Sequence, residues 1–239
     1  MRDCLESVKW ADEIIIIDSY SSDATVSIAQ EYTQKVVRKE WPGMVGPQRN
    51  VGLEIAEGKW VLFLDADERV TDELRNELIT LATSGTFHNF TAAAIPRKNF
   101  FFGKWLRSSY PDYTLRLLKK GKGSFNEKPG NGFDTMLVEG ETIRLKSPLL
   151  HFTGESLAQR VRKLDFDSGL QADEKFLAGG KISGFGMFLH TLFAFIRVYI
   201  LKKAVLEGTR GFIYASLASF NTFLKYAKLW ERCQSEKIE

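Results

Sequence analysis

Two short apolar runs, each closed by aspartate, constrain this chain more than any other feature. Ile14-Ile15-Ile16-Ile17 ends at Asp18, and Trp60-Val61-Leu62-Phe63-Leu64 ends at Asp65-Ala66-Asp67-Glu68. An unbroken β-branched run reads as a strand covered on both faces of a parallel sheet, because a strand with one wet face alternates instead. Helix signals fall between the runs. Ser22 or Asp23 can N-cap a helix from Ala24, Pro47 suits the first turn of the next, and Gly58 can close it. Thr71 caps a third, with Asp72 and Glu73 in its first turn, where the helix dipole favours acids. Lys35 to Arg38 fits a further strand. Strand and helix therefore alternate three times, which predicts an α/β fold with an open, mostly parallel sheet and flanking helices.

From Thr91 to about Phe152 the pattern changes. Short β-type pieces (Ala92 to Ile95, Tyr113 to Leu118, Met136 to Val138, Thr142 to Leu145) are separated by Gly and Pro, which predicts a mixed extension of the sheet. After Glu155 the helical period returns, and Gly179-Gly180 and Gly208 divide it into three helices. The expected division is a catalytic-type domain over 1–154 and a helical tail over 155–239. With 239 residues, 44% of them hydrophobic, the chain can bury one α/β core and carry an appendage. A net charge of +3 is too small to point to nucleic acid. Cys4 and Cys233 have neither metal-ligand spacing nor a disulfide framework, which fits a reducing cytosol, and Met1 to Lys9 is too polar for a signal peptide.

The acids carry the chemistry. Ligands of open α/β sheets bind outside the carboxyl ends of the strands, so Asp18, Asp65 and Asp67 are expected on one rim. Asp65 and Asp67 are two apart and share a face if strand geometry persists. Mg²⁺ and Mn²⁺ take hard oxygen ligands, commonly one or two carboxylates with substrate phosphates completing the shell. The alternative is an acidic surface turn after a core strand.

These segments, with Trp10-Ala11-Asp12-Glu13-Ile14, Asp18-Ser19-Tyr20-Ser21-Ser22-Asp23-Ala24-Thr25 and Gly46-Pro47-Gln48-Arg49-Asn50, resemble family-2 glycosyltransferases of the GT-A fold. Pro111-Asp112-Tyr113, Leu115-Arg116-Leu117 and Pro148-Leu149-Leu150-His151 are most similar to the small lipopolysaccharide-core β-glucosyltransferase branch. The resemblance implies a GT-A-like open mixed sheet with flanking helices, plus C-terminal amphipathic helices. It implies an inverting transfer of a hexose from a nucleotide diphosphate sugar (UDP-hexose) to a lipid-linked glycan, assisted by Mg²⁺ or Mn²⁺. Carried over by position, Asp18 and Ser19 touch the nucleoside, Gln48 and Arg49 line the donor pocket, Asp65 contacts ribose or metal, and Asp67 ligates the metal. Three departures stand out. The family's first strand, ending in an Asn-Glu type motif, falls before Met1. Tyr20 occupies a place usually held by Gly. Phe133-Asp134 stands where the family has His-Glu, which leaves Asp134 as the expected base.

Asp112, among Trp105, Arg107, Tyr110, Tyr113 and Arg116, is the second candidate for chemistry, since aromatic faces and a carboxylate suit a sugar. His151 reads as a structural histidine, His88 carries no argument, and Lys119, Lys120 and Lys122 read as a solvated turn. In the tail, Ile182 to Ile196 is apolar but short of the ~20 residues a span needs, and Arg197 follows it. Gly211 to Trp230 mixes aromatics with Lys225 and Lys228. Such helices suit a membrane surface, here the cytoplasmic face of an inner membrane; the alternative is a helical pair packed on the catalytic domain or on a second copy of the chain. An aspartate-nucleophile phosphatase is a weaker reading, because Arg69 stands where that chemistry has Thr or Val. A non-catalytic membrane-associated protein is the remaining one.

Overall fold

The structure, a computed structural model, describes residues 1–84, 89–127, 135–153 and 156–235. His88, Phe133, Asp134 and Glu155 lie outside the described residues. The chain divides into two compact units: Met1–Phe100, Tyr110–Glu127 and 135–152 form a sheet unit, while Phe101–Ser109 and 153–235 belong to a helical unit.

The sheet unit opens with α1 (Arg2–Glu6), a turn of helix missed in sequence because its face is short. It buries Cys4 and Leu5, with Val8 just after. Next come β1 (Ile16–Asp18), α2 (Thr25–Gln30), β2 (Val36–Arg38), α3 (Gly46–Ile55) and β3 (Trp60–Leu62). The Thr25 N–H donates to Asp23 Oδ1 at 2.9 Å, so Asp23 supports the helix start although Ala24 holds the cap position. Pro47 lies in the first turn of α3, which ends at Ala56, ahead of Gly58. After β4 (Glu68–Val70), Thr71 caps α4 (Asp72–Thr83) by accepting from Leu74 N–H.

The remaining strands are β5 (Ala92–Phe101), β6 (Lys104–Trp105), β7 (Asp112–Lys119), β8 (Gly123–Phe125), β9 (Met136–Val138), β10 (Thr142–Arg144) and β11 (Leu149–Thr153), of which β8 and β9 pair in a small sheet of their own. β1 and β2 pair in parallel, as the apolar runs predict. The larger sheet runs β3-β7-β5-β11-β4, with β10 parallel to β5. The β3–β7, β5–β7 and β4–β11 ladders are antiparallel, so the sheet is mixed, as the resemblance implies, and not mostly parallel as the apolar runs alone suggest. The reason is local: β3 takes as its neighbour a strand from the Gly- and Pro-punctuated middle segment, not one from a strand–helix–strand repeat. One core packs Val70, Leu74, Ile95, Leu117, Leu145 and Leu149; a second packs Phe63, Ala92, Leu118, Phe125 and Met136.

The helical unit contains α5 (Leu157–Leu177), α6 (Gly184–Ile196) and α7 (Thr209–Ser235). Breaks at Gly179-Gly180 and Gly208 match the expected three helices. Ser156 and Gln159 form a reciprocal capping box on α5. Asp165–Lys228 at 2.7 Å and Asp173–Arg232 at 2.5 Å tie α5 to α7. α6 does not stop at Arg197: a π-helical turn, Arg197–Leu201, carries it on. The 18 residues from Gly184 to Leu201 form a helix long and apolar enough, by length and composition, to cross a membrane. Much of this helix is uncovered, with Phe185 at 72% exposure, and beyond it Leu206 reaches 79%. Below, a tight approach holds the turn to α7: a Cβ on Gly211 would sit 1.8 Å from the Ala204 carbonyl oxygen.

Candidate functional site

The aspartates after β3 lie on a turn. Phe63 N–H still donates to Arg116 O at 2.7 Å, continuing the ladder with β7. Glu68 N–H then bonds Asp65 O at 2.9 Å, which folds Asp65-Ala66-Asp67-Glu68 back into β4. Arg69 braces that turn by donating to the Ala66 and Glu68 carbonyls at 2.9 and 2.8 Å. Strand geometry does not persist through the motif, and the two carboxylates acquire different partners.

Asp65 belongs to arginines. Oδ1 accepts from Arg49 at 2.9 Å and Oδ2 from Arg116 at 2.7 Å. Burial works to raise its carboxyl, and the charges of Arg116 and Arg49 outweigh burial, holding it far below the ordinary carboxylate range. Behind it lies Glu68, fully buried, receiving Asp65 N–H at 2.9 Å and Arg116 Nη2 at 2.6 Å. A charge buried this deeply is tolerable only when paired and hydrogen-bonded, and Arg97, 3.5 Å away, adds a second cation.

Asp67 faces His151 instead. Its Oδ2 lies 3.4 Å from His151 Nε2, and the carboxylate is nearly half exposed. Burial works to raise this carboxyl, and the contact with His151 overrides burial to lower it. The other ring nitrogen, Nδ1, is 2.7 Å from Asn99 Oδ1. Asn99 Nδ2 donates to Asp112 at 3.0 Å, and Arg97 holds the same carboxylate at 2.7 and 3.1 Å. The contacts thus run from Asp67 through His151, Asn99, Asp112, Arg97, Glu68 and Arg116 back to Asp65, within the sheet unit.

The donor-side candidates fall into two groups. Asp18 is buried at the end of β1, and its carboxylate accepts from Ser21 N–H at 3.1 Å. Ser19 Oγ accepts from Gln48 Nε2 at 2.5 Å, which links that loop to α3. Arg49, the next residue on α3, reaches Asp65 and lies 5.2 Å from the Phe125 ring centroid. Gly46 and Asn50 of the same motif serve packing: a Cβ on Gly46 would sit 2.1 Å from Asn126 O, and Asn50 clamps the Phe125 backbone through both ends of its amide. Tyr20 adopts a left-handed backbone with φ 60, a conformation glycine accepts without strain, and its ring is exposed.

A divalent cation can be weighed against this donor set. Metal–oxygen distances of about 2.1 Å place neighbouring ligands about 3 Å apart, close to the Asp67–His151 separation, and carboxylate with imidazole suits Mn²⁺. Those two side chains fit. Asp65, with an arginine on each oxygen, fits as a charge partner rather than a ligand in this arrangement. Among the described residues, no group of three or more His, Cys, Asp or Glu converges, so the remaining ligands would be substrate oxygens or water.

Sequence reading missed Glu68, Arg97 and Asn99, and gave His151 only a structural role. One signal was available. Arg116 interrupts the apolar run Leu115 to Leu118, and a charged residue inside a buried strand demands an acid partner.

The family model for glycosyl transferase family 2 matches residues 1–139. An uncharacterized glycosyltransferase of Rickettsia bellii is 30% identical over 237 residues, covering 95% of this chain and 80% of that protein. The lipopolysaccharide core biosynthesis glycosyltransferase LpsC of Rhizobium meliloti is 27% identical, covering 96% of this chain and 86% of its own length. A solved structure of S. aureus TarS 1–349 with UDP-GlcNAc aligns at 14% identity with a TM-score of 0.47, covering 98% of this chain and 87% of that one.

Proposed function

Because the chain belongs to glycosyl transferase family 2, we propose that it transfers a hexose from UDP-hexose to a lipid-linked or lipopolysaccharide-core glycan, with inversion and with a divalent cation at Asp67. The observation that carries this reading is the approach of His151 Nε2 to Asp67 Oδ2 on the turn after β3. Mg²⁺ or Mn²⁺ supplies charge neutralisation for the leaving diphosphate. Asp67 and His151 hold it. Arg49 and Arg116 keep Asp65 ionised and fixed, and their positive charge favours the diphosphate end of the donor. Asp18, Ser19 and Gln48 form the nucleoside side of the site, with Asp65 toward the ribose. Asp134 takes the proton of the acceptor hydroxyl, because inversion requires a base opposite the leaving group. Asp112 is the alternative base, although Arg97 and Asn99 already engage it.

The acceptor assignment draws on the similarity to LpsC and on the helical unit. The uncovered side chains of α6, with Arg197, Lys202 and Lys203 nearby, match a peripheral contact with the cytoplasmic face of an anionic inner membrane. At 1.5 Å per residue, Gly184–Leu201 spans about 27 Å, short of a ~30 Å hydrocarbon core, which favours lying in the interface. Alkaline carbonate separates the modes: a peripheral protein is released, and a spanning one is retained. The decisive test of the function is a screen of nucleotide-sugars for binding to the purified protein with and without Mn²⁺. Mn²⁺-dependent binding of a UDP-hexose supports the reading, and binding indifferent to metal for every donor refutes it.

A further inference from the structure

We infer that Asn99 and Asp112 are positioning residues for His151: they fix which imidazole nitrogen carries the proton and so aim the Nε2 lone pair at the cation held by Asp67. The inference rests on the reading that Asp67 and His151 share a divalent cation.

The chemistry of each atom sets the direction of the next. An ionised carboxylate only accepts, so the end of the Asn99 amide 3.0 Å from Asp112 is its NH₂. The opposite end is therefore the carbonyl, which also only accepts. It lies 2.7 Å from His151 Nδ1, so that nitrogen must donate and carry the proton. Nε2 is the nitrogen left to Asp67, 3.4 Å from its Oδ2. A proton there pairs with the carboxylate, and a divalent cation takes the place of that proton while Nδ1 keeps its own. Turning the amide over would set its carbonyl against a carboxylate, and Arg97, on Asp112 through both Nε and Nη2, keeps that charge in place.

The sheet itself builds the relay. Arg97 lies opposite Asp112 in the β5–β7 ladder. Asn99 is two residues further along β5, on the same face as Arg97. His151 comes from β11, the next strand, where it pairs with Glu68 of β4, immediately after Asp67. Three adjacent strands thus supply the relay, Asp112 from β7, Arg97 and Asn99 from β5 and His151 from β11, and Asp67 lies on the turn that leads into β4. Metal-binding histidines are oriented in this way by an acceptor on the distal nitrogen, and loss of such a partner costs affinity. The relay also gives Asp112 a role that does not require it to touch substrate.

The test uses the full-length protein and two readouts, Mn²⁺ affinity by calorimetry and the His151 tautomer by ¹⁵N NMR of metal-free protein. Asp112→Asn removes the carboxylate that sets the direction of the Asn99 amide. Mn²⁺ affinity should fall about 10- to 100-fold, and the His151 signals should shift from the Nδ1–H form toward a mixture. The exchange Asn99→Asp/Asp112→Asn puts an obligate acceptor beside Nδ1 and a donor beside it, and should restore both readouts. A structural ion pair between Arg97 and Asp112 would not be restored by that exchange, so recovery supports the relay. If Asp112→Asn fails to fold, Asn99→Ser removes the linking amide and should show the same losses. The inference is overturned if Asp112→Asn leaves affinity and tautomer unchanged while Asp67→Ala and His151→Ala lose Mn²⁺; the cation reading then survives alone. Unchanged affinity and tautomer with lost turnover would also overturn it, by making Asp112 a base. If Asp67→Ala and His151→Ala bind Mn²⁺ like the wild type, the cation reading fails, and the inference that rests on it falls too.

Discussion

In the sheet unit, Glu68 is fully buried between Arg116 and Arg97, and Asp65 has an arginine on each oxygen. In the helical unit, ion pairs such as Asp165–Lys228 lie near the surface, while Phe185, Phe188 and Leu206 are exposed. One unit takes charge inside and the other leaves apolar surface outside. Both arrangements cost stability in water unless something repays them. Buried charge repays by holding a polar site in one geometry. An exposed apolar face is repaid when an apolar medium or partner covers it.

The strongest way to break the contrast is to remove the buried acid. Glu68→Ala leaves Arg116 buried and under-paired, so chemical denaturation should show a loss of about 3–5 kcal/mol. A loss below about 1 kcal/mol, typical of exposed pairs, would mean that the cluster is solvated and the contrast false. On the helical side, Phe188→Ser with Phe193→Ser should weaken sedimentation with anionic vesicles by tenfold or more, since burying each ring is worth roughly 1.5–3 kcal/mol. Stability in solution should barely move. Unchanged vesicle binding would assign that face to another partner, such as a second copy of the chain.

Packing inside the helical unit gives an effect of intermediate size. Gly211→Ala forces a methyl onto the Ala204 carbonyl and should cost about 1–3 kcal/mol, read as a lower melting temperature. An unaffected melt would show that this turn is loose. Acid gives a further distinction. The Asp65 carboxyl is depressed in the folded state, so its stabilising contribution is complete above the unfolded value of about 4 and is lost as pH falls through the folded one. Protection of the β3 and β7 amides, corrected for the intrinsic exchange rate at each pH, should therefore fall below pH ~4. Protection unaltered by acid would show that Asp65 does not contribute to stability. The smallest effect is expected at Tyr20, where Tyr20→Gly should raise stability by about 1 kcal/mol by relieving a left-handed backbone. A loss of stability there would show the ring to be packed.

Elements with their own local signals were readable in the sequence. Thr71 before two acids, Pro47 in a first turn, and the glycines at 179, 180 and 208 each act through neighbouring backbone, so position along the chain is enough. Strand pairing was less legible, because β3 chooses β7 across more than fifty residues and nothing in Trp60–Leu62 names its partner. The site divides in the same way. Asp65 and Asp67 could be found as a motif, but their separate partners come from α3, β7 and β11, which meet only in the folded unit. His151 looked structural because its neighbours in sequence are apolar; the groups that define it, Asn99 and Asp67, are distant in the chain.

Two aspartates two residues apart have different partners, Asp65 two arginines and Asp67 His151, and the proposed cation goes to Asp67 alone. Calorimetric titration of Mn²⁺ into wild type, Asp65→Ala and Asp67→Ala tests it directly. Asp67→Ala should abolish Mn²⁺ binding, while Asp65→Ala should retain it, weakened by the loosened turn. Mn²⁺ binding that survives Asp67→Ala, or that Asp65→Ala removes just as completely, would contradict it.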